Sequence, residues 1–281
     1  MGGIVNAISV DVEDYFHPTE LAVSAPMDQW DALPSRVDSA TRRTLDLFAE
    51  AGVQGTFFIL GWVAERHPAL VRDIAAAGHE IGCHSYWHRL VYDLTPEEFR
   101  ADTERACDVI EQACGIRPRA YRAPSYSITR KSWWALEVLA SLGFTHDSSI
   151  YPIIHDRYGV PGFDRHVSTI ETSSGRLTEV PAATVELTGG QVAPIGGGGY
   201  LRLLPYRYTA AGLRRVNLQE CRAACLYLHP WELDPGQPRL ARGTIARLRT
   251  YLGLAGMEDK LRRLLREFSF STVQKVFHAV N

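Results

Sequence analysis

Residues 4–14 read IVNAISVDVED, an apolar run of strand length that ends in three acidic side chains. A run of this kind predicts a buried β-strand. In parallel α/β folds, the side chains that follow the strands gather at one edge of the sheet, where catalytic groups lie. Asp11, Glu13 and Asp14 therefore mark a candidate site at the end of the first predicted strand.

Similar apolar runs alternate with helical patterns further along the chain. The other predicted strands are residues 56–60, 80–83, 119–122, 143–145 and 224–228. Helices are predicted from Asp38 or Ser39 to Glu50, from Thr95 to Gly115, and over 129–142, and the residues TPEE at 95–98 match a capping box. This alternation predicts an α/β fold with a parallel sheet or barrel and helices outside it. The glycines at 189–199 lack the lysine and the helix of a phosphate loop, which favours bends in an irregular insertion.

Composition and charge exclude several classes of protein. The chain has 281 residues, 46% of them hydrophobic, and 30 basic against 32 acidic side chains give a net charge of −2. We expect no nucleic-acid partner, because no excess of positive charge is available to attract one. Five cysteines without metal-finger spacing indicate reduced thiols. The N-terminal residues resemble neither a secretory signal nor a membrane span, so a cytoplasmic protein is expected.

Positive charge is concentrated towards the C-terminus. Residues 239–266 contain eight basic and two acidic residues, a net charge of +6 that leaves −8 elsewhere. Leu261, Leu264, Leu265 and Phe268 have helical spacing, which predicts a docked helix with solvated arginines outside. The alternative is a basic rim that contacts an acidic glycan, a lipid carrier or a membrane surface, in which case the protein would be membrane-peripheral.

The sequence HSYWH at 84–88 is the strongest local signal of a metal site. Histidines four residues apart can present both imidazoles to one ion. His84, His88 and one acid of the 11–14 cluster would form a three-ligand site with open positions, suited to zinc or another divalent ion. The same donors also suit ferrous iron, so a mononuclear iron oxygenase is an alternative.

Three more polar motifs follow predicted strands. They contain Arg122 in RAPSY, Asp147 in DSS and His229 in HPWE. A surface arginine, an Asx turn and a core histidine would explain them one at a time, but their shared placement at strand ends indicates one site. Nearby aromatic residues could stack on sugar rings or pack at the rim of the barrel, namely Trp87, Tyr126, Tyr151 and Trp231.

Longer motifs in fixed order carry a resemblance to a known family. They are SVDVEDYFH at 9–17, GHEIGCHSYWH at 78–88, YRAPSYSI at 121–128, DSSIYP at 147–152, GGGGYLRLLPY at 196–206 and LHPWELDPGQPR at 228–239. The chain resembles the polysaccharide deacetylases of the NodB-homology type, carbohydrate esterase family 4. It is most similar to the subgroup associated with exosortase and exopolysaccharide gene clusters.

The resemblance implies a distorted (β/α) barrel, usually of seven parallel strands. We expect this barrel over residues 1–238, including an irregular insertion, and a basic helical extension over 239–281. The implied activity is metal-dependent removal of N-acetyl groups from the N-acetylhexosamine units of a polysaccharide, most simply with one Zn²⁺. Alternatives on the same fold are hydrolysis of small cyclic amides or ureides, and a non-catalytic carbohydrate-binding or assembly protein.

The resemblance also assigns roles by motif. Asp11 matches the catalytic base and Arg122 the arginine that steadies it. His229 matches the general acid, and Asp147 the carboxylate that orients this acid. His84 and His88 match the metal imidazoles. Two departures from the family pattern leave choices open: Asp14 is favoured over Glu13 as the metal carboxylate, and the oxyanion-binding amide falls on Ser125 by position, with Tyr126, Trp87 and Trp231 as substrate-binding residues.

Overall fold

The central sheet is built from strands that end near the polar motifs. The structure, a computed structural model, describes residues 3–278. Its strands are β1 Val5–Val12, β2 Thr56–Ile59, β3 Glu80–Cys83, β4 Ala120–Tyr121, β5 His146–Asp147, β6 Ser168–Thr172, β7 Gly175–Glu179, β8 Thr184–Glu186, β9 Val192–Pro194, β10 Cys225–Leu228 and β11 Ser269–Ser271. All residues of β2 and β10 are buried, as expected for parallel strands covered on both faces.

Seven strands form a continuous parallel array in the order β10-β1-β2-β3-β4-β5-β7. The predicted α/β fold with a mostly parallel sheet is therefore confirmed. Strand β6 pairs antiparallel with β7, β11 pairs parallel with the start of β1, and β8 and β9 form a separate antiparallel pair. Within residues 3–278 no strand ladder joins β7 to β10, so the sheet is open, and one hydrogen bond from Ala183 N–H to the Cys225 carbonyl (2.9 Å) links the two ends.

Helices cover the sheet. They are α1 Val37–Ala51, α2 Gly61–Arg66, α3 Pro68–Ala76, α4 Pro96–Cys114, α5 Trp134–Ser141, α6 Gly198–Leu203, α7 Tyr206–Arg214, α8 Thr244–Tyr251, α9 Met257–Glu267 and α10 Val273–Val276. The capping box predicted at Thr95 and Glu98 forms, and Gly115 ends α4 in the left-handed region. The helix predicted over 129–142 is divided into a 3₁₀ turn, Arg130–Ser132, and α5.

The N-terminus of α1 differs from the prediction. Neither Asp38 nor Ser39 caps the helix, which begins at Val37. Instead the backbone N–H groups of Arg36 and Val37 donate to the carboxylate of Asp14 at 2.9 and 3.2 Å. The acidic cluster after β1 therefore supplies the cap of a helix that begins more than twenty residues later.

The glycine run at 196–199 makes a bend and then begins a helix, unlike the strand-like insertion that we predicted. Gly197 has φ of 100°, and a Cβ at this position would lie 2.2 Å from the ring of Tyr227. Only glycine accommodates both the backbone conformation and the close approach. The bend places the short helix α6, Gly198–Leu203, against the end of β10.

The C-terminal segment is part of the sheet. Strand β11 pairs with Val5–Ala7 of β1, and the predicted docked helix is α9, which buries Leu261, Leu264 and Leu265. The Lys260 ammonium donates to the carbonyls of Leu201, Arg202 and Leu204 at 2.7–3.1 Å. The division at residue 238 stays a prediction, and residues 1–2 and 279–281 at its outer ends lie outside the described chain.

The described helices do not have the properties of a membrane span. None of those within residues 3–278 combines the length and the apolar character that crossing a bilayer requires.

Candidate functional site

Glu13, His84 and His88 converge after β1 and β3. One oxygen of Glu13, Oε1, lies 2.9 Å from Nε2 of His84 and 2.9 Å from Nε2 of His88. All three side chains are buried, and their ligand atoms lie within 4.8 Å of one another. Burial opposes ionisation of Glu13, but the charges and hydrogen bonds of the neighbouring histidines hold its pKa well below the usual range. The arrangement is a carboxylate with two imidazoles, a donor set that suits a divalent cation.

The hydrogen bond of His84 Nδ1 shows which nitrogen of the ring is available to a metal ion. Nδ1 of His84 lies 2.7 Å from the carbonyl oxygen of Arg122 and donates to it, because a carbonyl can only accept. In the neutral ring, Nε2 then carries a lone pair that faces the Glu13 oxygen. Two lone pairs at 2.9 Å repel each other unless a cation lies between them. Either a proton or a metal ion therefore has to join His84 to Glu13.

The structure corrects the choice of Asp14 as the metal carboxylate. Its two oxygens accept hydrogen bonds from Ser35 Oγ (2.6 Å) and from the backbone N–H groups of Tyr15, Arg36 and Val37. The carboxylate is directed at the start of α1 and not at the histidine pair. Glu13, which the sequence left as the second choice, occupies the place beside His84 and His88.

Asp11 and Arg122 form a fully buried ion pair at the ends of β1 and β4. Nη1 of Arg122 donates to Oδ1 of Asp11 at 2.8 Å. The same guanidinium also donates to Oγ of Ser9 and to the carbonyl and Oγ of Ser148. Several fixed acceptors therefore hold Arg122 and, through it, the Asp11 carboxylate. The other oxygen, Oδ2, is 3.9 Å from Nε2 of His229.

His229 is oriented by Glu232 and not by Asp147, which corrects the role that the resemblance gave to Asp147. Nδ1 of His229 lies 3.2 Å from Oε2 of Glu232, an oxygen that also accepts from the backbone N–H of His229 at 3.1 Å. Oε1 of Glu232 accepts from Nε of Arg202 at 3.1 Å, and both of these side chains are buried. Glu232, which Arg202 holds in place, thus fixes the orientation of the imidazole.

The charges around His229 favour its protonated form. Burial lowers its pKa, but the carboxylates of Glu13, Glu232 and Asp11 outweigh this effect and raise the pKa to about 9. Nε2 is directed towards Asp11, and the ring stacks on Trp231 with centroids 5.2 Å apart. At neutral pH His229 is therefore an imidazolium that can donate a proton from Nε2.

Asp147 belongs to a second pair of acids. Ser149 donates to Oδ1 of Asp147, and the backbone N–H of Ile150 donates to Oε1 of Glu179 at 3.1 Å. Burial raises the pKa of both carboxyls, and Asp147 raises that of Glu179 further. Asp147 Oδ2 and Glu179 Oε2 are buried without a hydrogen-bond partner within residues 3–278, so one proton shared between the two carboxyls would satisfy both.

Backbone strain accompanies two of the motifs. The described chain has five non-glycine residues with positive φ, and four of them are Ser85, His88, Ser125 and Tyr126. Such residues cost about 1–3 kcal/mol each and cluster at functional sites. Among the described residues, the backbone N–H of Ser125 has no hydrogen-bond acceptor, whereas that of Tyr126 donates to the Ala123 carbonyl at 3.1 Å.

A cavity of about 350 Å³ opens above these groups. Asp11, Glu13, His88, Ser125 and His229 line its floor. Its wall is rich in aromatic side chains, namely Tyr92, Tyr126, Tyr158, Tyr200, Tyr227 and Trp231. The expected position of Trp87 is wrong, since this residue lies outside the cavity lining and packs against Trp30 and Tyr86.

Comparison with protein families divides the chain into two parts. Residues 29–146 match the family described as polysaccharide deacetylase, and residues 148–278 match a domain of unknown function, DUF3473. Part of the chain is therefore similar to polysaccharide deacetylases. The match to this domain contains His84, His88 and Arg122, while Glu13 precedes it. His229 and Glu232 lie in the DUF3473 part.

Curated relatives support the same family. A peptidoglycan-N-acetylglucosamine deacetylase of Bacillus cereus is 33% identical over 98 residues, which is 34% of this chain and 36% of the relative. A chitooligosaccharide deacetylase of a Bradyrhizobium species is 31% identical over 132 residues, 46% of this chain and 58% of the relative. The chain thus spans less than two thirds of either protein.

Solved structures share the fold of the chain. A putative polysaccharide deacetylase from Mycobacterium smegmatis superposes with a TM-score of 0.67 at 22% identity, over 99% of this chain and 91% of the other. A family 4 carbohydrate esterase from Streptomyces lividans gives a TM-score of 0.54 at 16% identity, over 99% and 97% of the two chains. At these identities the similarity shows the mixed α/β fold alone.

Sequence reasoning on the deacetylase motifs missed Glu232 and most of the cavity wall. Glu232 could have been found, because it stands three residues after His229 in HPWE, within reach of its imidazole on a helical turn. Tyr158, Tyr200 and Arg202 had no comparable signal, since they come from loops and a short helix that only the fold brings to the site.

Proposed function

We propose that the protein is a metal-dependent N-deacetylase that removes acetyl groups from the N-acetylhexosamine units of a polysaccharide or its precursor. The proposal rests on three features that lie together on the floor of one cavity. They are the carboxylate and histidine cluster, the buried Asp11–Arg122 ion pair and the charged His229. The family match and the names of the relatives support the same reaction class.

Glu13, His84 and His88 would hold the divalent ion. Their donor set fits zinc, and the Nδ1–H of His84 already donates to the Arg122 carbonyl, which directs Nε2 to the ion. When bound, such an ion supplies Lewis acidity that polarises an amide carbonyl and acidifies water. An iron oxygenase would share this donor set but would have no use for the paired base and acid at Asp11 and His229.

Asp11 is the base in this proposal. Arg122 donates to one carboxylate oxygen, while the other oxygen is on the side of His229 and the cavity. Oδ2 can therefore accept the proton of a water molecule that attacks the acetyl carbon. The fixed guanidinium also prevents the carboxylate from rotating away, which preserves the geometry of proton transfer.

His229 is the acid. Collapse of the tetrahedral intermediate requires a proton on the departing sugar nitrogen, since an amide anion is a poor leaving group. Nε2 of His229 supplies that proton, and Glu232 holds the ring in place through Nδ1. The free N–H of Ser125 is the donor available to the oxyanion, a type of contact worth about 3–4 kcal/mol.

The substrate is inferred from the wall of the cavity. Tyrosine and tryptophan rings provide faces on which sugar rings can stack, and the described site has room for a sugar unit. The motif resemblance to the exosortase- and exopolysaccharide-associated subgroup favours an exopolysaccharide. Trp231 stacks on His229 with centroids 5.2 Å apart, and the Tyr126 ring lies 5.4 Å from the Arg122 guanidinium, so both adjoin the catalytic groups.

Mass spectrometry of N-acetylglucosamine oligomers incubated with the zinc-loaded enzyme tests the proposal. We expect a product lighter by one acetyl group, with release of free acetate, and no product from Asp11→Asn. Turnover of ureides such as allantoin without acetate release would instead indicate a cyclic amidase. Glycan binding that survives metal removal, without any product, would indicate a non-catalytic binding protein.

A further inference from the structure

An apolar stripe lies exposed on α8, beside the mouth of the cavity. Ile245, Leu248 and Leu252 are 69, 50 and 55% exposed, and their spacing of three and four residues aligns them on one side of the helix and its C-cap. The helix buries Thr250 and Tyr251 on its other side. A surface helix normally turns its apolar side inward, so this outward stripe requires an explanation.

Two further apolar side chains extend the exposed surface. Val23 and Ile154 are 88 and 87% exposed. Val23 follows the 3₁₀ turn Thr19–Leu21, which packs against α8, and Ile154 lies two residues before Asp156, whose carboxylate approaches Arg249 to 4.0 Å. Two segments that adjoin α8 or its Arg249 thus also expose aliphatic side chains.

The charge around the stripe is positive. The segment 239–252 contains four arginines, at 239, 242, 247 and 249, and no acidic residue. The acids nearest to it are already paired, because Glu20 accepts from Arg157 and Asp156 lies beside Arg249 and His155. In α9, by contrast, Lys260 donates to three carbonyls, and Arg262 pairs with Glu50 and Glu258. Within the described residues Arg239, Arg242 and Arg247 have no carboxylate partner: Arg239 stacks on Tyr251, and Arg247 donates to the Ala241 carbonyl.

We propose that this surface, defined by Val23, Ile154, Ile245, Leu248 and Leu252 with Arg239, Arg242 and Arg247, docks on an anionic lipid bilayer. Aliphatic side chains would insert at the level of the headgroups while the arginines bind lipid phosphates, as in peripheral amphipathic helices. A protein partner would suit the aliphatic residues as well, but it would not account for the uniform positive charge around them.

Docking would orient the active site. Leu203, Arg249 and Thr250 line the cavity and adjoin the stripe, so the opening would lie at the membrane surface. An acetylated sugar attached to a lipid would then reach His229 and Asp11 from the headgroup side. Membrane binding itself does not depend on the deacetylase activity, and its test has no catalytic readout.

Sedimentation with vesicles of phosphatidylcholine, with and without phosphatidylglycerol, measures the binding. We expect wild type to bind the anionic vesicles only, and high salt to release it. Replacing Ile245, Leu248 and Leu252 by Ser should weaken binding by about tenfold or more. The double variant Arg242→Gln/Arg247→Gln should weaken it by about fivefold for each charge removed.

Matched control variants replace the same types of side chain in other regions of the surface. Leu187→Ser/Leu218→Ser replaces exposed leucines of another region, and Arg207→Gln/Arg266→Gln removes two exposed charges from α7 and α9. Both controls should bind like wild type. Loss of binding in the controls to the same degree as in the α8 variants would overturn the assignment to α8.

A tryptophan introduced into the stripe gives a second measurement of membrane contact. Tryptophan fluorescence of Leu248→Trp should be quenched by brominated anionic lipids more strongly than that of Leu187→Trp. Equal quenching, or wild-type protein that fails to bind anionic vesicles, would overturn the proposal. So would a dimer in solution that the triple Ser variant dissociates, because the stripe would then be covered by a second copy of the chain.

Discussion

Oε2 of Glu232 lies 3.2 Å from Nδ1 of His229, so the acid that orients the imidazole comes from the same helical turn as the imidazole. Asp147, which motif order assigns to this role, accepts from Ser149 and pairs with Glu179 instead. The two residues can be separated experimentally because only one of them supports the charge of His229.

The first prediction concerns the pH profile of turnover. His229 has a raised pKa of about 9, so its proton is present at neutral pH and is lost as the pH rises through that value. Glu232→Gln removes one supporting charge and should move the alkaline limb of kcat to lower pH, with a loss of about 10–100-fold at neutral pH. Asp147→Asn should leave the limb in place. An unshifted limb in Glu232→Gln would refute the positioning role.

The second prediction separates the two adjacent acids. Glu13→Gln should abolish tight zinc binding, as His84→Ala and His88→Ala should, because it removes a ligand from the cluster. Asp14→Asn should retain zinc but lower the free energy of unfolding by about 1 kcal/mol, since it weakens the cap of α1. Metal analysis after dialysis, together with thermal unfolding, distinguishes the outcomes. Zinc lost from Asp14→Asn and kept in Glu13→Gln would reverse the assignment.

The third prediction places the proton-transfer groups outside the metal site. Asp11→Asn and His229→Ala should bind zinc as wild type does and should lose most turnover, by about 10²–10⁴-fold. Acetate release and metal content measured on the same samples provide the check. Full activity in His229→Ala would remove it from the mechanism.

The fourth prediction uses the buried pair Asp147 and Glu179. Folding raises both pKa values, so the pair's contribution to stability is complete below about pH 4 and is lost as the pH rises through the raised values. The amide introduced by Glu179→Gln can donate a hydrogen bond to Asp147, so a proton shared between the two side chains is no longer required. Its stability should fall less than that of wild type between neutral and alkaline pH, measured by urea unfolding. Parallel curves for the two proteins would contradict a shared proton.

The fifth prediction tests whether residues 1–238 fold alone. Deleting residues 239–281 removes β11 from beside β1, the carbonyls to which Arg202 donates, and Lys260. We expect a protein without a cooperative thermal transition, and a shortened chain with native-like near-ultraviolet circular dichroism would show that residues 1–238 fold independently.

Much of the site was predictable because parallel strands bring their ends together. The alternation of strands and helices located Asp11, His84, His88, Arg122 and His229 at one edge before any contact was known. The direction of individual carboxylates could not be read in the same way. The Asp14 carboxylate accepts hydrogen bonds from the N–H groups of Arg36 and Val37 instead of facing the histidines. This contact cannot be recognised until the position of α1 is known.

The second half of the chain was less predictable for a different reason. Short strands such as β8 and β9 carry a weak periodic signal, and glycine bends obscured α6. Arg202 could not be recognised as a site residue because its partner Glu232 is thirty residues away. Its role depends on a buried contact between two segments that have no local pattern in common.

The pairing of β1 also constrains how the chain can be made. Val5–Ala7 hydrogen-bond with Ser269–Ser271, and Ala7–Val10 align with β10 at Cys225–Leu228. During synthesis β1 therefore waits for two partners that are made more than 200 residues later in the chain. Contacts so distant in sequence are slow to form. The strand that bears Asp11 is thus made long before its pairing is complete, so the catalytic floor assembles only after β10 and β11 have been made.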